Sequence, residues 1–234
     1  MMHLSRVRVD SQALDGRRLR DILKGNQYGN HQLLWKLFPE AEGRPFLFRQ
    51  ELEREAGHGQ WGSRGLPMFY VLSAAEPVPV PGLLTCESKA FDPRLREGQR
   101  LAFRLRANPV VARKDPERSR SRRHDVLMDA KQAARNEGVE DSVAMRRRME
   151  DAARAWLGDA VRAEAAGYVL AAEPEVHRYQ QHVHRRKGGE IRFSSVDYEG
   201  LLEVKDSERF RQTLAKGIGR SRAFGCGLWL VRPA

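Results

Sequence analysis

The chain has 234 residues, enough for one large domain or two small ones, each with its own core. Its 42 Lys and Arg outnumber 31 Asp and Glu, a formal net charge of +11 that points to an anionic partner, either nucleic acid or an acidic membrane surface. No apolar run reaches the length of a membrane span and the start carries no apolar signal core, so the composition excludes a helical membrane protein and reads as soluble and cytoplasmic.

In chain order, Leu4–Val9 alternates apolar and charged residues, the mark of a half-buried strand. Asp15 can cap a short helix that carries Leu19, Ile22 and Leu23 on one face and ends at Gly25. A second helix is expected from Asn30, as N-cap, to Phe38, with Pro39 as its stop. Phe46–Leu52 and Pro67–Leu72 read as strands joined by a Gly-rich loop. Pro77, Pro79 and Pro81 follow, and then a strand over Leu84–Phe91.

The second half repeats this plan. Arg100–Arg106 alternates and stops at Asn108-Pro109, and Lys114–Arg123 is almost free of apolar residues and reads as a basic loop. One long helix is expected over Ala144–Ala165, with Met145, Met149, Ala152, Trp156 and Ala160 along one face. Val176–Arg185 and Glu190–Val204 form a hairpin through Lys187-Gly188-Gly189. Asp206–Lys216 is a helix with Phe210 and Leu214 inward, and Leu228–Val231 is a closing strand. The order β-α-β-β-(α)-β therefore occurs twice, which is the split-βαβ, ferredoxin-like plan of an α+β protein: two tandem ferredoxin-like (RRM-like) domains, residues 1–95 and 96–234. The aromatic motif that such sheets use to stack RNA bases is missing from Phe103-Arg-Leu-Arg106, so any RNA would bind elsewhere than by base stacking on the open sheet.

Three features carry chemistry. Between the last helix and the last strand stand Gly217, Gly219, Gly225 and Gly227, with Arg220, Ser221 and Arg222 among them. Backbone N–H groups at glycines can approach an anion closely and arginine adds bidentate charge, so this loop is a candidate phosphate cradle. It has neither the Lys-Ser/Thr of a Walker loop nor the strand-to-helix placement of a dinucleotide loop, and a glycine-capped helix with a tight turn would look the same. Second, Tyr28 and His31 are expected just before and at the first turn of their helix, where free N–H groups attract phosphate and favour a neutral imidazole able to take or give a proton. Third, basic residues cluster: six against two acids between Arg113 and Arg123, then Arg146-Arg147-Arg148 and Arg185-Arg186-Lys187. His177, His182 and His184 lack a carboxylate or cysteine at a familiar metal-ligand spacing and read as histidines of an RNA-facing hairpin. Cys86 and Cys226 form no metal or redox motif, which suits a reducing compartment, and no cofactor is expected.

Three segments resemble the CasE family, the CRISPR-associated endoribonucleases that cut the repeat RNA of type I-E systems. They are Met2-His-Leu-Ser-Arg-Val with Tyr28-x-x-His31, Leu34-Trp-x-Leu-Phe-Pro39 and Phe46-Leu-Phe48; then Phe103-Arg-Leu-Arg-Ala-Asn-Pro109; then Gly217-Ile-Gly219 and Gly225-Cys-Gly227-Leu. The resemblance implies two ferredoxin-like domains that grip an RNA hairpin on a shared basic surface. It implies metal-independent cleavage of pre-crRNA at the 3′ base of the stem, by attack of a 2′-hydroxyl on its own phosphate, leaving a 2′,3′-cyclic phosphate and a 5′-hydroxyl. It places His31 at the family's catalytic histidine, Tyr28 at its partner tyrosine, and Arg185, Arg186, Lys187 and Arg192 in an element that contacts RNA. Further RNA contacts are expected, on charge, from Lys36, Arg113, Lys114, Arg118, Arg120, Arg122 and Arg123. It also implies that the product stays bound and that the partners are other subunits of the type I-E effector complex. A hairpin-binding subunit without cleavage is the alternative. A membrane-surface or DNA-binding protein is disfavoured by the absence of an amphipathic anchor helix and of a helix-turn-helix.

Overall fold

The computed structural model describes residues 1–10, 12–15, 17, 22, 27–52, 66–113, 122–186 and 189–234. The chain divides into two compact units: Met1–Arg94 with Arg222–Leu228, and Leu95–Ser221 with Trp229–Ala234. No helix among the described residues is long and apolar enough to cross a membrane.

The first unit contains β1 (Met2–Val9), α1 (Gln27–Trp35), β2 (Phe46–Leu52), β3 (Pro67–Ser73) and β4 (Leu84–Phe91). The strands form one antiparallel sheet in the order β2-β3-β1-β4. Alternation along β1 sends Ser5, Val7 and Val9 into the interior, while Arg6 and Arg8 on the opposite face pair with Glu87 of β4. Leu34 of α1, then Leu37 and Phe38 from the turn that follows, close over Phe46, Phe48, Phe69, Val71 and Leu84. This packing anchors α1 firmly enough to fix the side chains it carries.

The second unit contains β5 (Arg100–Ala107), a hairpin of β6 (Val110–Arg113) and β7 (Arg122–Asp125), α2 (Val126–Asn136), α3 (Ser142–Leu157), α4 (Ala160–Ala166), β8 (Tyr168–Leu170), the long hairpin β9 (Glu175–Arg186) and β10 (Gly189–Val204), α5 (Ser207–Lys216) and β11 (Trp229–Pro233). Its sheet runs β11-β5-β10-β8, with β9 also paired to β10. Taking β5, β8, β10 and β11 as first to fourth strand, the order is fourth-first-third-second, the same as in the first unit. That shared order is the ferredoxin-like plan, so the α+β reading with two tandem ferredoxin-like domains holds. Trp229 is the hub of the second core, its ring centroid lying 5.1 Å from Phe103, 5.3 Å from Tyr168 and 6.0 Å from Phe210. Buried Asp197 of β10 takes a bidentate pair from Arg106 of β5, both contacts at 2.8 Å. The two hydrogen bonds offset part of the cost of placing charge in the sheet.

Several expectations need correction. Asn30 is no N-cap: it is buried inside α1 and its Nδ2 donates to Gln50 Oε1 at 2.8 Å. The helix begins by Gln27, so His31 lies beyond its first turn and Tyr28 within it, and the helix ends at Trp35 rather than Phe38. The single helix over Ala144–Ala165 is two. α3 stops at Gly158, α4 restarts with Asp159 accepting from the Arg162 N–H at 2.9 Å, and Ala160 is exposed rather than on the apolar face. A local cap has outcompeted helical periodicity there. Arg122 and Arg123 belong to strand β7, not to a loop. His182 and His184 are buried, 8% and 7% exposed, rather than presented by the hairpin, because the long strand β10 stacks Phe193 against His182 at 4.6 Å. The elements β6, β7, α2 and β8 were not expected from the sequence. The helix read from Asp15 falls largely outside the described residues, though Asp15 Oδ1 accepts from the Arg17 N–H at 3.0 Å as a cap would. The Gly-rich loop before Pro67 and most of the Lys114–Arg123 segment also lie outside them.

Candidate active site

His31 occupies the side of α1 that faces β2. Its ring centroid is 5.6 Å from Phe46 and 6.3 Å from Phe48, stacked at 23° on the latter. One turn on, Trp35 Nε1 donates to His31 Nε2 at 3.2 Å. Indole N–H only donates, so Nε2 must be the unprotonated nitrogen and Nδ1 carries the hydrogen of the neutral ring. Burial pushes the imidazole pKa below its ordinary value, and the charge of Arg44 pushes in the same direction. A neutral His31 was anticipated, but its cause is burial with a cationic neighbour and not the helix terminus.

Arg44 stands in the turn before β2, and its own pKa is lowered by partial burial and by Arg222. Arg222 opens a 3-10 turn, Arg222–Phe224, that packs against α1 and β2. This turn is seated by Gly225, whose φ of +81° is left-handed and whose α-carbon faces Phe48 so closely that a Cβ would stand 3.2 Å from that ring. Gly225→Ala is therefore expected to cost about 1–3 kcal/mol of stability. A urea titration reads this as a lower midpoint, and an unchanged midpoint would show that the loop yields freely.

In the first unit the structure thus gathers His31 with Arg222 of the glycine segment, through Arg44. Arg44 is the residue that sequence reasoning missed, since nothing in Glu42-Gly43-Arg44-Pro45 signals it. Tyr28 lies in α1 three positions before His31, and helical positions three apart share a side of the helix. Lys36 is exposed in the turn after α1. Gly227 is buried, with a φ of +92°.

The remaining predicted residues belong to the second unit or lie outside the description. Gly217 ends α5, its N–H donating to Thr213 O at 2.8 Å. Gly219 has a φ of +73°. Arg220 is exposed, and Ser221 adopts a left-handed φ of 56° with its Oγ accepting from Asn108 Nδ2 at 2.6 Å. Arg113 is exposed and pairs with Asp129, Arg123 is exposed, and exposed Arg192 pairs with Glu190 at 2.6 Å. Arg185 and Arg186 continue β9 and Arg122 lies in β7, their side chains being outside the description. Lys114, Arg118, Arg120 and Lys187 are outside the described residues altogether. His182 Nε2 bonds Ser195 Oγ at 2.8 Å, and burial and the neighbouring His184 push its pKa down to about 4. Among the described residues no three His, Cys, Asp or Glu side chains are placed to hold a metal. A groove of about 820 Å³ in the second unit is lined by Leu127, Val139, Met145, Met149 and Tyr179 among others, and also by Arg146 of the basic cluster and His177 of the hairpin.

The family model described as "CRISPR associated protein" matches residues 2–233. The CRISPR-associated endoribonuclease Cse3 of Thermus thermophilus is 33% identical over 150 residues, which are 62% of this chain and 61% of that protein. The alignment thus spans less than two thirds of the Thermus protein. The Cascade subunit CasE of Escherichia coli K12 is 28% identical over 214 residues, 88% of this chain and 92% of that one. Among solved structures, Thermus thermophilus Cse3 bound to an RNA representing a pre-cleavage complex superposes with a TM-score of 0.68 at 27% identity, covering 99% of each chain. With one model spanning nearly every residue, and the fold and motifs in agreement, this chain belongs to the CRISPR-associated protein family, as a member of its CasE group.

Proposed function

We propose that this chain is a metal-independent endoribonuclease that binds the CRISPR repeat hairpin, cuts it at the 3′ base of the stem, and stays on the product as a subunit of a type I-E effector complex. The observation that carries the reading is the half-buried, neutral imidazole of His31, stacked between α1 and β2 within reach of the charge of Arg44. The named activities of the Thermus endoribonuclease and the Cascade subunit support it.

In the proposed step the 2′-oxygen attacks the adjacent phosphorus. The P–O2′ bond forms as the P–O5′ bond breaks, giving a cyclic phosphate and a 5′-hydroxyl. One proton leaves the 2′-hydroxyl and one arrives on O5′: the neutral ring takes the first on Nε2, where the 2′-hydroxyl replaces the Trp35 N–H, and the imidazolium so formed gives the second to O5′, so the ring ends neutral. Before the RNA binds, Trp35 orients the ring by donating to Nε2, and Phe46 and Phe48 fix its plane. Tyr28 is assigned to the same phosphate, as a donor to it or as the group that orients the 2′-hydroxyl. RNA in A-form offers phosphates and 2′-hydroxyls rather than major-groove base edges, which suits the exposed arginines of this chain.

The test is a cleavage assay in EDTA with the repeat hairpin of the same genome, reading product ends. A 5′-hydroxyl and a cyclic phosphate are expected. Tight binding with no cut would make the chain a hairpin-binding subunit. For the RNA contacts, Arg220→Ala with Arg222→Ala is expected to weaken hairpin affinity and to flatten the dependence of log Kd on log salt by about 1–2. An unchanged slope would leave the glycine segment with a structural role only.

A further inference from the structure

We propose that Asn108 is a positioning residue for RNA binding: it latches Ser221 at the end of the turn Gly219-Arg220-Ser221 and so presents Arg220 to an RNA phosphate. The assignment rests on the reading of Arg220 as an RNA contact. The latch is one bond, Asn108 Nδ2 donating to Ser221 Oγ at 2.6 Å, between residues 113 positions apart. It ties the Asn108-Pro109 stop of β5 to the glycine segment.

Asn108 offers a fixed base. A residue before proline is confined to extended backbone, and Asn108 is buried at 4% exposure. The carbonyl of Pro109 accepts from the Val126 N–H at 3.1 Å, and that of Val110 from Trp156 Nε1 at 3.2 Å. The other end of the turn is pinned to the same base. Gly219 has a φ of +73°, and a Cβ there would stand 3.3 Å from the Trp156 ring and 3.6 Å from Asn108 O. Trp156 is itself locked, with the Arg162 guanidinium carbon 4.4 Å from its ring centroid and Tyr198 stacked on it at 6.3 Å. Between these two anchored residues stands Arg220, exposed to solvent.

The residue types chosen do not serve stability alone. Gly217, Gly219, Gly225 and Gly227 supply the other positive φ values of the segment, yet at φ 56° the chain keeps Ser221, where glycine would be unstrained. What serine has and glycine lacks is the hydroxyl that Asn108 holds. Asn108 in turn leaves its Oδ1 buried with no hydrogen-bond partner among the described residues, which is unfavourable by itself. Strain of this kind persists where the surroundings impose it, and it gathers at ligand-binding segments. The gain is order in advance: an arginine on a free loop must be immobilised when RNA binds, and one on a latched turn already is.

The experiment is a double-mutant cycle on binding to the repeat hairpin with a 2′-deoxy residue at the cut site. Kd is measured against salt for wild type, Asn108→Ala, Ser221→Gly, Arg220→Ala, and each of the first two combined with Arg220→Ala. Arg220→Ala is expected to flatten the salt slope by about 1. Asn108→Ala and Ser221→Gly should each weaken binding about three- to tenfold. Once Arg220 is alanine, neither should weaken it by more than about twofold, because a residue that acts through Arg220 has nothing left to position. Ser221→Gly removes the strain as it cuts the latch, so the cycle can be read on a folded protein even where Asn108→Ala fails to fold. Wild-type affinity in Ser221→Gly would overturn the latch and leave Arg220 as an RNA contact. So would losses that multiply with that of Arg220→Ala, which mark a general loss of structure. Wild-type affinity and slope in Arg220→Ala would overturn the RNA reading of the segment, and the latch with it.

Discussion

Replacing His31 with alanine is expected to lower the single-turnover cleavage rate by at least about 10³-fold, near the upper range for a lost acid–base group. Hairpin affinity should stay within about threefold, because a neutral imidazole offers no charge to a phosphate backbone and contributes nothing to counterion release. The two readouts therefore separate, and they must be taken on the same protein preparation. In the wild type, burial and Arg44 hold the imidazole below its ordinary pKa, so its neutral form persists as pH falls. The acidic limb of the rate should accordingly lie below the usual histidine value of about 6.5. The ring packs on Phe46 and Phe48, so alanine leaves a small void. His31→Gln fills more of it and should be equally inactive. Full activity in either variant would remove His31 from the mechanism.

The largest effect on stability is expected at Gly167. This residue ends α4 with a φ of +80°, and its carbonyl accepts from the N–H of Lys205 at 2.9 Å and of Asp206 at 3.2 Å. A Cβ there would stand 2.6 Å from Asp206 O and 2.7 Å from Phe210 N, both backbone atoms that cannot swing aside. Gly167→Ala combines left-handed strain, about 1–3 kcal/mol, with a forced separation of α4 from the start of α5. Against a typical total stability of about 5–15 kcal/mol, a loss above about 3 kcal/mol is a severe defect. Denaturant unfolding should show a markedly lower midpoint. A midpoint near wild type would mean that the α4–β8 junction relaxes at little cost. Gly225→Ala should be milder, since the atom it meets is the edge of one ring.

The contrast between these glycines shows how much of the molecule was legible in the amino-acid order. Gly225 stood out in a glycine-rich segment, while nothing around Gly167 marked it. Which one abuts backbone and which one an aromatic ring depends on elements distant in the chain. The same holds for Asn30. Following Gly29 it has the chemistry of an N-cap, yet Gln50 of β2 offers a partner, and the helix starts earlier. The Gly158-Asp159 break was visible in principle, since Asp before a helical run is a cap signal, but the apolar face on either side masked it. The β6–β7 hairpin was hidden because Arg122-Arg-His-Asp125 has no apolar alternation to mark a strand. His182 and His184 alternate as a strand should, but alternation cannot say which face is covered.

By itself the sequence determined the period-2 strands β1, β5, β9 and β10, the capped helix α5, the strongly basic balance and the Tyr28/His31 motif. These are local properties: side-chain direction repeats every two or 3.6 residues, caps act within one turn, and net charge is a sum. The tertiary structure alone decided that Arg44 stands near enough to His31 to act on its charge, that burial and Arg44 leave its ring neutral, and that Gly225 seats the turn which carries Arg222. Coulomb interaction and desolvation depend on distance through space and on the surrounding medium, and neither quantity is written in separation along the chain.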